Sequence, residues 1–353
     1  MDNSVKIAFL GDISLNGDYK KFALEGTNPF SSIAHLINDA NIIVGNLEAV
    51  SEHREGKHHP KQTRLSIDPL SHSLLDYLNL HLVTLANNHI FDNLDDGLKH
   101  TLEYLDEKGI KYTGASLQGE SHLPYVLQKN GLKIAFLNYV HSSTHPGIDE
   151  SHPITVNHYH CENIKTAIKQ FKSTCDLVVL ILHWGMSNSR FPEPWQRKDA
   201  REFVHAGADL IVGHHSHVLQ GFEKIGNAMV FYNLGNFAFA PYHIGKEYAL
   251  APGRQTDTVV LYWSISESGN EISWEPVKLD GLSVVPAAKS KIRKLSRLIP
   301  VVSNPVSWIF YKFYLNVLFK GYYYFFGHGR NPVSQLKKID HSRLIRAKKL
   351  IGF

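Results

Sequence analysis

Apolar residues in this chain come in short blocks that stop abruptly at polar ones. Val5 to Leu10 ends at Gly11-Asp12, Ile42 to Gly45 ends at Asn46-Leu47-Glu48, and Leu82 to Ala86 ends at Asn87-Asn88-His89, with Asp92 close behind. Three further blocks repeat the pattern. Leu177 to Leu182 stops at His183, Leu210 to Gly213 stops at His214-His215-Ser216-His217, and the run from Met229 stops at Asn236. Runs this short and rich in β-branched residues predict strands buried on both faces, as in a parallel sheet. Between them, helical spacing predicts helices over Ala34–Asp39, Asp95–Lys108, Asn163–Ser173 and Pro194–His205. Leu98, Leu102 and Leu105 line the second, Gly109 stops it, and Pro194 sits at the start of the fourth. Asn130-Gly131 predicts a hairpin within Tyr125–Asn138, and Ser268-Gly269-Asn270 predicts the turn between antiparallel strands Thr258–Ser266 and Glu271–Lys278. Residues 51–64 are wholly polar and read as a solvated loop that is also suited to greet an anionic substrate. A His-rich loop runs on to His160.

In open α/β sheets, ligands sit beyond the carboxyl ends of strands. The polar block ends therefore propose one rim carrying Asp12, Asn46, Glu48, Asn88, His89, His183, His214, His215, His217 and Asn236. Read alone, Asp12 serves a turn as well as a ligand set, and one His-x-His among 22 histidines carries little weight. Five strand ends besides that of Asn236, carrying carboxylate, amide and imidazole, carry more. Nitrogen and oxygen donors without thiolate suit a hard to borderline divalent cation, Mn, Zn or Fe, as one ion or two.

Length and charge extend the picture. A chain of 353 residues with 43% hydrophobic content can bury a large core. The amino terminus enters its first strand with no basic region or apolar leader, so a cytoplasmic chain is expected. Two cysteines, Cys161 and Cys175, in no C-x-x-C pattern, predict neither a disulfide framework nor a thiolate site. The net charge of +4 hides an asymmetry: residues 289–353 hold 14 Lys or Arg against the single acid Asp340. We therefore divide the chain into a body, 1–285, and a basic segment, 286–353. From Trp308 to Phe326 that segment is aromatic-rich, with Lys312, Asn316 and Lys320 at four-residue spacing, which predicts an amphipathic helix. Such a helix suits peripheral contact with a membrane, where Trp308, Phe310, Phe313 and Leu318 would be buried, and equally suits docking on the body or on another subunit. No recognised nucleic-acid motif accompanies the charge, so no nucleic-acid partner is expected.

In order and spacing, these residues resemble the calcineurin-like metallophosphatase superfamily. Within it they resemble the poly-γ-glutamate capsule-synthesis (CapA-like) family. The strings that carry the resemblance are Gly11-Asp12, Asn46-Leu47-Glu48, Ala86-Asn87-Asn88-His89 with Asp92, His183-Trp184-Gly185, the run from Gly207 through His217 to Gly221, and Leu234 to Phe237. The resemblance implies a four-layer α/β/β/α sandwich and a metal set of Asp12, Glu48, Asn88, His183, His215 and His217. His89 would protonate a leaving group and Asp92 would orient it. Against the wider superfamily, Ser14 stands where a histidine is usual, Asn46-Leu47-Glu48 replaces the bridging aspartate, and His214 adds a histidine to the last motif. Against the capsule branch, Met186 to Arg190 lacks the acid usual after His-Trp-Gly, which implies one ion or weaker binding.

Two functions follow from the resemblance. One is a metal-dependent hydrolase of capsule-polymer biosynthesis, acting on a phosphoester or on an amide of an anionic γ-linked glutamate polymer. The other is a non-catalytic accessory protein of polymer synthesis or export at the membrane.

Overall fold

The computed structural model describes residues 4–59, 64–117, 124–144, 153–244, 247–249 and 255–315. In chain order, the elements that build the site are β1 (Val5–Ile13), α1 (Tyr19–Glu25), β2 (Ile42–Leu47), β3 (Leu82–Thr84), α2 (Leu94–Glu107), β4 (Lys111–Thr113), β5 (Tyr125–Lys129), β6 (Leu132–Val140), α3 (Cys161–Lys172), β7 (Leu177–His183), α4 (Pro194–Ala206), β8 (Leu210–His214), β9 (Phe222–Ile225), β10 (Ala228–Phe231), β11 (Asn236–Ala238), β12 (Asp257–Ser266), β13 (Gly269–Asp280), β14 (Ser283–Pro286), α5 (Ile292–Val302) and α6 (Pro305–Tyr314).

Two sheets result. The first has the order β14-β13-β12-β1-β2-β3-β4, with β11 also paired to β1; the second has the order β9-β10-β8-β7-β6-β5. β1 to β4 run parallel, as do β6, β7, β8 and β10, while hairpins close the flanks. The sheets face each other across an apolar layer in which Ile7, Phe9 and Val44 of the first meet Phe136, Ile181 and Val212 of the second. The outer face of the first sheet is covered by α1, α2 and the 3-10 segment Pro69–Leu78 through residues such as Tyr19, Leu75, Leu98 and Leu102. α3, α4 and α5 cover the second through Ile164, Ile168, Phe203 and Leu295. The architecture is therefore the expected four-layer α/β/β/α sandwich. The central strands β1, β2, β7 and β8 are buried on both faces, which explains why they read as unbroken apolar runs.

Several elements depart from their sequence reading. Ala34–Asp39 yields a single α-turn, Ala34–Ile37, entered through a 3-10 turn. The β12–β13 hairpin turns at Glu267-Ser268, because Ser266 pairs directly with Gly269 and the glycine's φ of 129° opens the returning strand. The His-rich stretch after β6 contains a short strand, Ile154–Val156, antiparallel to Ala115–Leu117. α6 begins at Pro305, and Trp308 is buried against the body. The expected continuation through Leu318 to Phe326 lies outside the described residues, as does 60–63 of the polar loop.

Beneath the first sheet's helical layer, His72 is buried with Nε2 3.0 Å from Ser51 Oγ, and burial pushes its pKa down to about 4. Folding therefore favours the neutral ring. Its contribution is complete above pH 6.5 and is lost as pH falls toward 4, because the unfolded chain then binds the proton that the native state refuses. Comparing urea denaturation at pH 7 and pH 5, the native sequence should lose about 2 kcal/mol more than His72→Gln. Other buried histidines titrate alike in both proteins and cancel.

Candidate metal centre

The parallel strands of both sheets end at one rim, where the polar block ends meet. β1 reaches it through a bulge: Phe9 pairs with Val44 but Asp12 pairs with Asn46, so one extra residue is taken up on β1. A bulge re-aims the side chain that follows it. Gly11 permits this, since a Cβ there would lie 2.1 Å from the Gly235 carbonyl oxygen, which accepts the Asp12 N–H at 2.9 Å. Glu48 is fixed by its own N–H, which donates to Ile13 O at 2.7 Å. At the end of the second sheet, His215 and His217 take φ values of 93° and 59°, a left-handed conformation that a non-glycine residue adopts at some cost and that recurs at functional sites.

Two groups of potential ligand atoms form here, each within 4.8 Å: Glu48, His183 and His215, and Asp12, Glu48 and His217. Glu48 belongs to both. Its Oε1 lies 3.5 Å from His183 Nε2 and 3.7 Å from His217 Nε2. Asn88 joins the first group, with Oδ1 2.6 Å from His183 Nε2, which is itself 3.1 Å from His215 Nδ1. All six residues expected as ligands thus meet at one place.

The hydrogen bonds around the groups set which atoms face inward. His217 Nδ1 donates to Asn236 Oδ1 at 3.0 Å, leaving the Nε2 lone pair directed at Glu48. His214 Nδ1 donates to Asp12 Oδ1 at 2.8 Å, and Asn46 Nδ2 donates to the same oxygen at 3.0 Å. Of the three clustered histidines, His214 therefore orients a carboxylate, while His215 and His217 complete the ligand groups. Ser187 Oγ lies 3.1 Å from His215 Nε2, so the acid-free stretch after His183-Trp184-Gly185 still supplies a polar contact. Sequence reasoning had no signal for that serine. Nor had it one for Asn138, whose Oδ1 accepts from Ala86 N at 2.7 Å and whose Nδ2 donates to Ile181 O at 3.2 Å, tying the two sheets together beside the site.

The electrostatics fit a divalent cation. Burial raises the Asp12 pKa, but the hydrogen bond from His214, the electrostatic attraction of the His214 and His217 rings and the hydrogen bond from Asn46 outweigh it and hold the carboxyl below its usual range. Asp12 Oδ2 is buried and accepts no hydrogen bond, which is costly for an anion without a counter-charge. Burial, followed by the neighbouring histidines, keeps His183 neutral, the form that ligates. Beside the groups, His89 Nε2 is 3.9 Å from Glu48 Oε1, while its Nδ1 donates to Asp92 Oδ2 at 2.6 Å. The same Asp92 oxygen accepts from Leu65 N at 2.7 Å.

Residues 6–241 match the family described as bacterial capsule synthesis protein PGA_cap. The chain belongs to that family. Among its relatives, the PGA biosynthesis protein CapA of Bacillus subtilis (strain 168) is 29% identical over 320 residues, spanning 84% of this chain and 79% of that protein. The capsule biosynthesis protein CapA of Bacillus anthracis is 28% identical over 252 residues, or 67% of this chain and 60% of its own length. Among solved structures, a hypothetical protein from Thermus thermophilus aligns with a TM-score of 0.45 at 12% identity, covering 78% of this chain and 100% of that one. A 5'-nucleotidase precursor from the same organism aligns at 0.43 and 12%, covering 80% and 54%. The PGA_cap match spans every residue of the two ligand groups. Among the described residues, no helix is long and apolar enough to cross a membrane.

Because Gly11 places Asp12, Gly11→Ala is expected to act on both stability and site. The added methyl pushes β1 away from Gly235, lowering stability by about 1–3 kcal/mol in urea denaturation. Divalent-ion content measured on the folded fraction should fall with it.

Proposed function

We propose that this PGA_cap protein is a metal-dependent hydrolase of poly-γ-glutamate-type polymer biosynthesis, acting on a phosphoester or on a γ-glutamyl amide. The observation that supports it most is the pair of buried ligand groups sharing Glu48, with the His89–Asp92 couple at their side. In this reading Glu48, His183, His215 and Asn88 hold one divalent ion, and Asp12, Glu48 and His217 hold a second. Two groups are present even without an acid between Met186 and Arg190, so the missing acid does not reduce the site to a single group. When bound, divalent ions lower the pKa of water and neutralise charge on an anionic substrate oxygen.

The chain's own residues supply the rest. Asn46 and His214 hold the Asp12 carboxylate in one orientation, and Asn236 fixes the tautomer of His217. Asp92 holds the Nδ1–H of His89, which leaves Nε2, on the Glu48 side, to carry the proton delivered to the leaving oxygen or nitrogen. These side chains are buried, which strengthens each of these interactions.

Elemental analysis of the purified protein, followed by turnover assays on phosphoesters and on γ-linked polyglutamate with added Mn²⁺, Zn²⁺ or Fe²⁺, tests this function. Glu48→Gln, which alters both groups, should weaken ion binding about tenfold or more. His215→Ala and His217→Ala should each reduce the bound ion count while leaving part of it. His89→Ala should lower turnover by about 10²–10⁴-fold with the ion content unchanged. Loss of metal in the His89 variant would remove its assignment to proton transfer. A native protein that binds ions and turns over neither substrate class would instead be an accessory protein that uses the site for binding.

A further inference from the structure

Helix α6 is apolar on two opposite sides. Trp308, Tyr311 and Leu315 turn inward: Trp308 and Leu315 are buried, and Tyr311 packs edge-on to Phe191 at 5.3 Å. Its hydroxyl accepts the Arg190 N–H at 3.0 Å. Val306, Ile309, Phe310 and Phe313, spaced i, i+3, i+4 and i+7, form the other stripe and are 66%, 67%, 71% and 54% exposed. Val301, at the end of α5, adds a further 62% exposed side chain. Single exposed apolar residues are ordinary, but a helical stripe of four large ones marks an interaction surface.

Charge decides what that surface fits. From Lys289 to Leu315 there are six bases, Lys289, Lys291, Arg293, Lys294, Arg297 and Lys312, and no acid. Arg297 lies within α5 and Lys312 within α6 beside Phe313; both are exposed. Residues 316–353 carry eight more bases against one acid. Pairing the stripe with a second copy would set positive charge against positive charge, and the sequence beyond Leu315 continues the same character, largely apolar and aromatic from Val317 to Phe326 and then basic. A surface of anionic lipid phosphates matches both features, taking the apolar side chains into the headgroup–acyl boundary and the bases at its phosphates. The ten described residues of α6 suffice to lie in the plane of a bilayer surface.

We propose that the outer face of α5 and α6 docks on an anionic lipid bilayer, with Val306, Ile309, Phe310 and Phe313 inserted and Arg297 and Lys312 on the phosphates. The inner side of α6 is already taken up by the body, where Tyr311 bonds Arg190 of the loop that carries Ser187, so the outer stripe is the side left for a partner.

The test is co-sedimentation of the full chain, with and without chelator, using vesicles of phosphatidylcholine alone and of phosphatidylcholine with equal phosphatidylglycerol. The expected result is pelleting that requires phosphatidylglycerol, weakens with salt and is indifferent to chelator, so that it stands or falls separately from the hydrolase reading. Phe310→Glu with Phe313→Glu should cut partitioning by about tenfold or more. Leu24→Glu, an exposed apolar position on α1, should leave it unchanged. Circular dichroism reports whether the double variant folds, and Lys312→Glu, a surface change, should weaken binding independently. A chain that stays in the supernatant with phosphatidylglycerol at low salt, or a folded double variant that pellets undiminished, overturns the proposal. So does light scattering that shows a dimer split by the double variant, which would make the stripe a subunit interface.

Discussion

Burying two carboxylates against each other is the constraint on which the rest of this structure depends. Asp12 and Glu48 are completely shielded from solvent at the junction of two sheets, and each would cost several kcal/mol there without compensation. The fold answers with donors aimed at one side of Asp12 and with imidazoles ranged around Glu48. Compensation on one side only leaves a cavity edge lined by lone pairs, which is what a cation requires and what a purely structural ion pair would have filled.

The two-sheet architecture lowers the entropy cost of that arrangement. Asp12 and Glu48 come from the first sheet, and His183, His215 and His217 from the second, so no single loop has to hold the group together. Asn138 fastens the sheets where they could slide, bonding Ala86 across the gap and Ile181 within its own sheet. Gly114 takes a φ of 103° beside it, and a Cβ there would fall 2.0 Å from Asn138 Oδ1, so the glycine leaves the space that the bridging side chain needs. Strand ends held from both directions are stiffer than loops, and ligand geometry benefits accordingly.

The strand ends were legible in the sequence because strands buried on both faces must be apolar until they leave the sheet, and the first polar residue marks the rim. The choice among His214, His215 and His217 could not be read that way. It depends on left-handed backbone at His215 and His217, which turns consecutive side chains in directions that simple alternation along a strand does not describe. Asn138 and Ser187 were hidden for a different reason: their partners lie 52 and 28 residues away, and nothing local distinguishes them from other polar residues. The inward turn of Trp308 was missed because periodicity shows that a helix has an apolar side but not, for a helix apolar on two sides, which one meets the body.

The polar loop after Glu48 shows how a stretch with no pattern of its own can still serve the chemistry. It reads as solvated, yet it is tied to Asp92 at two points: His59 N–H donates to the Asp92 carbonyl at 3.0 Å, and Leu65 N–H, just past the loop, donates to its carboxylate at 2.7 Å. That carboxylate oxygen is the one that holds His89 Nδ1. A second donor shares the negative charge and fixes the carboxylate plane, which in turn fixes the imidazole ring and the direction of its Nε2. Along the loop Arg54 and Arg64 are exposed, while Lys57 pairs with Glu55, so the segment that steadies the His89 ring also presents basic side chains to solvent. In the hydrolase reading proposed above, an anionic chain drawn to Arg54 and Arg64 would meet a loop anchored at Asp92, behind the His89 imidazole.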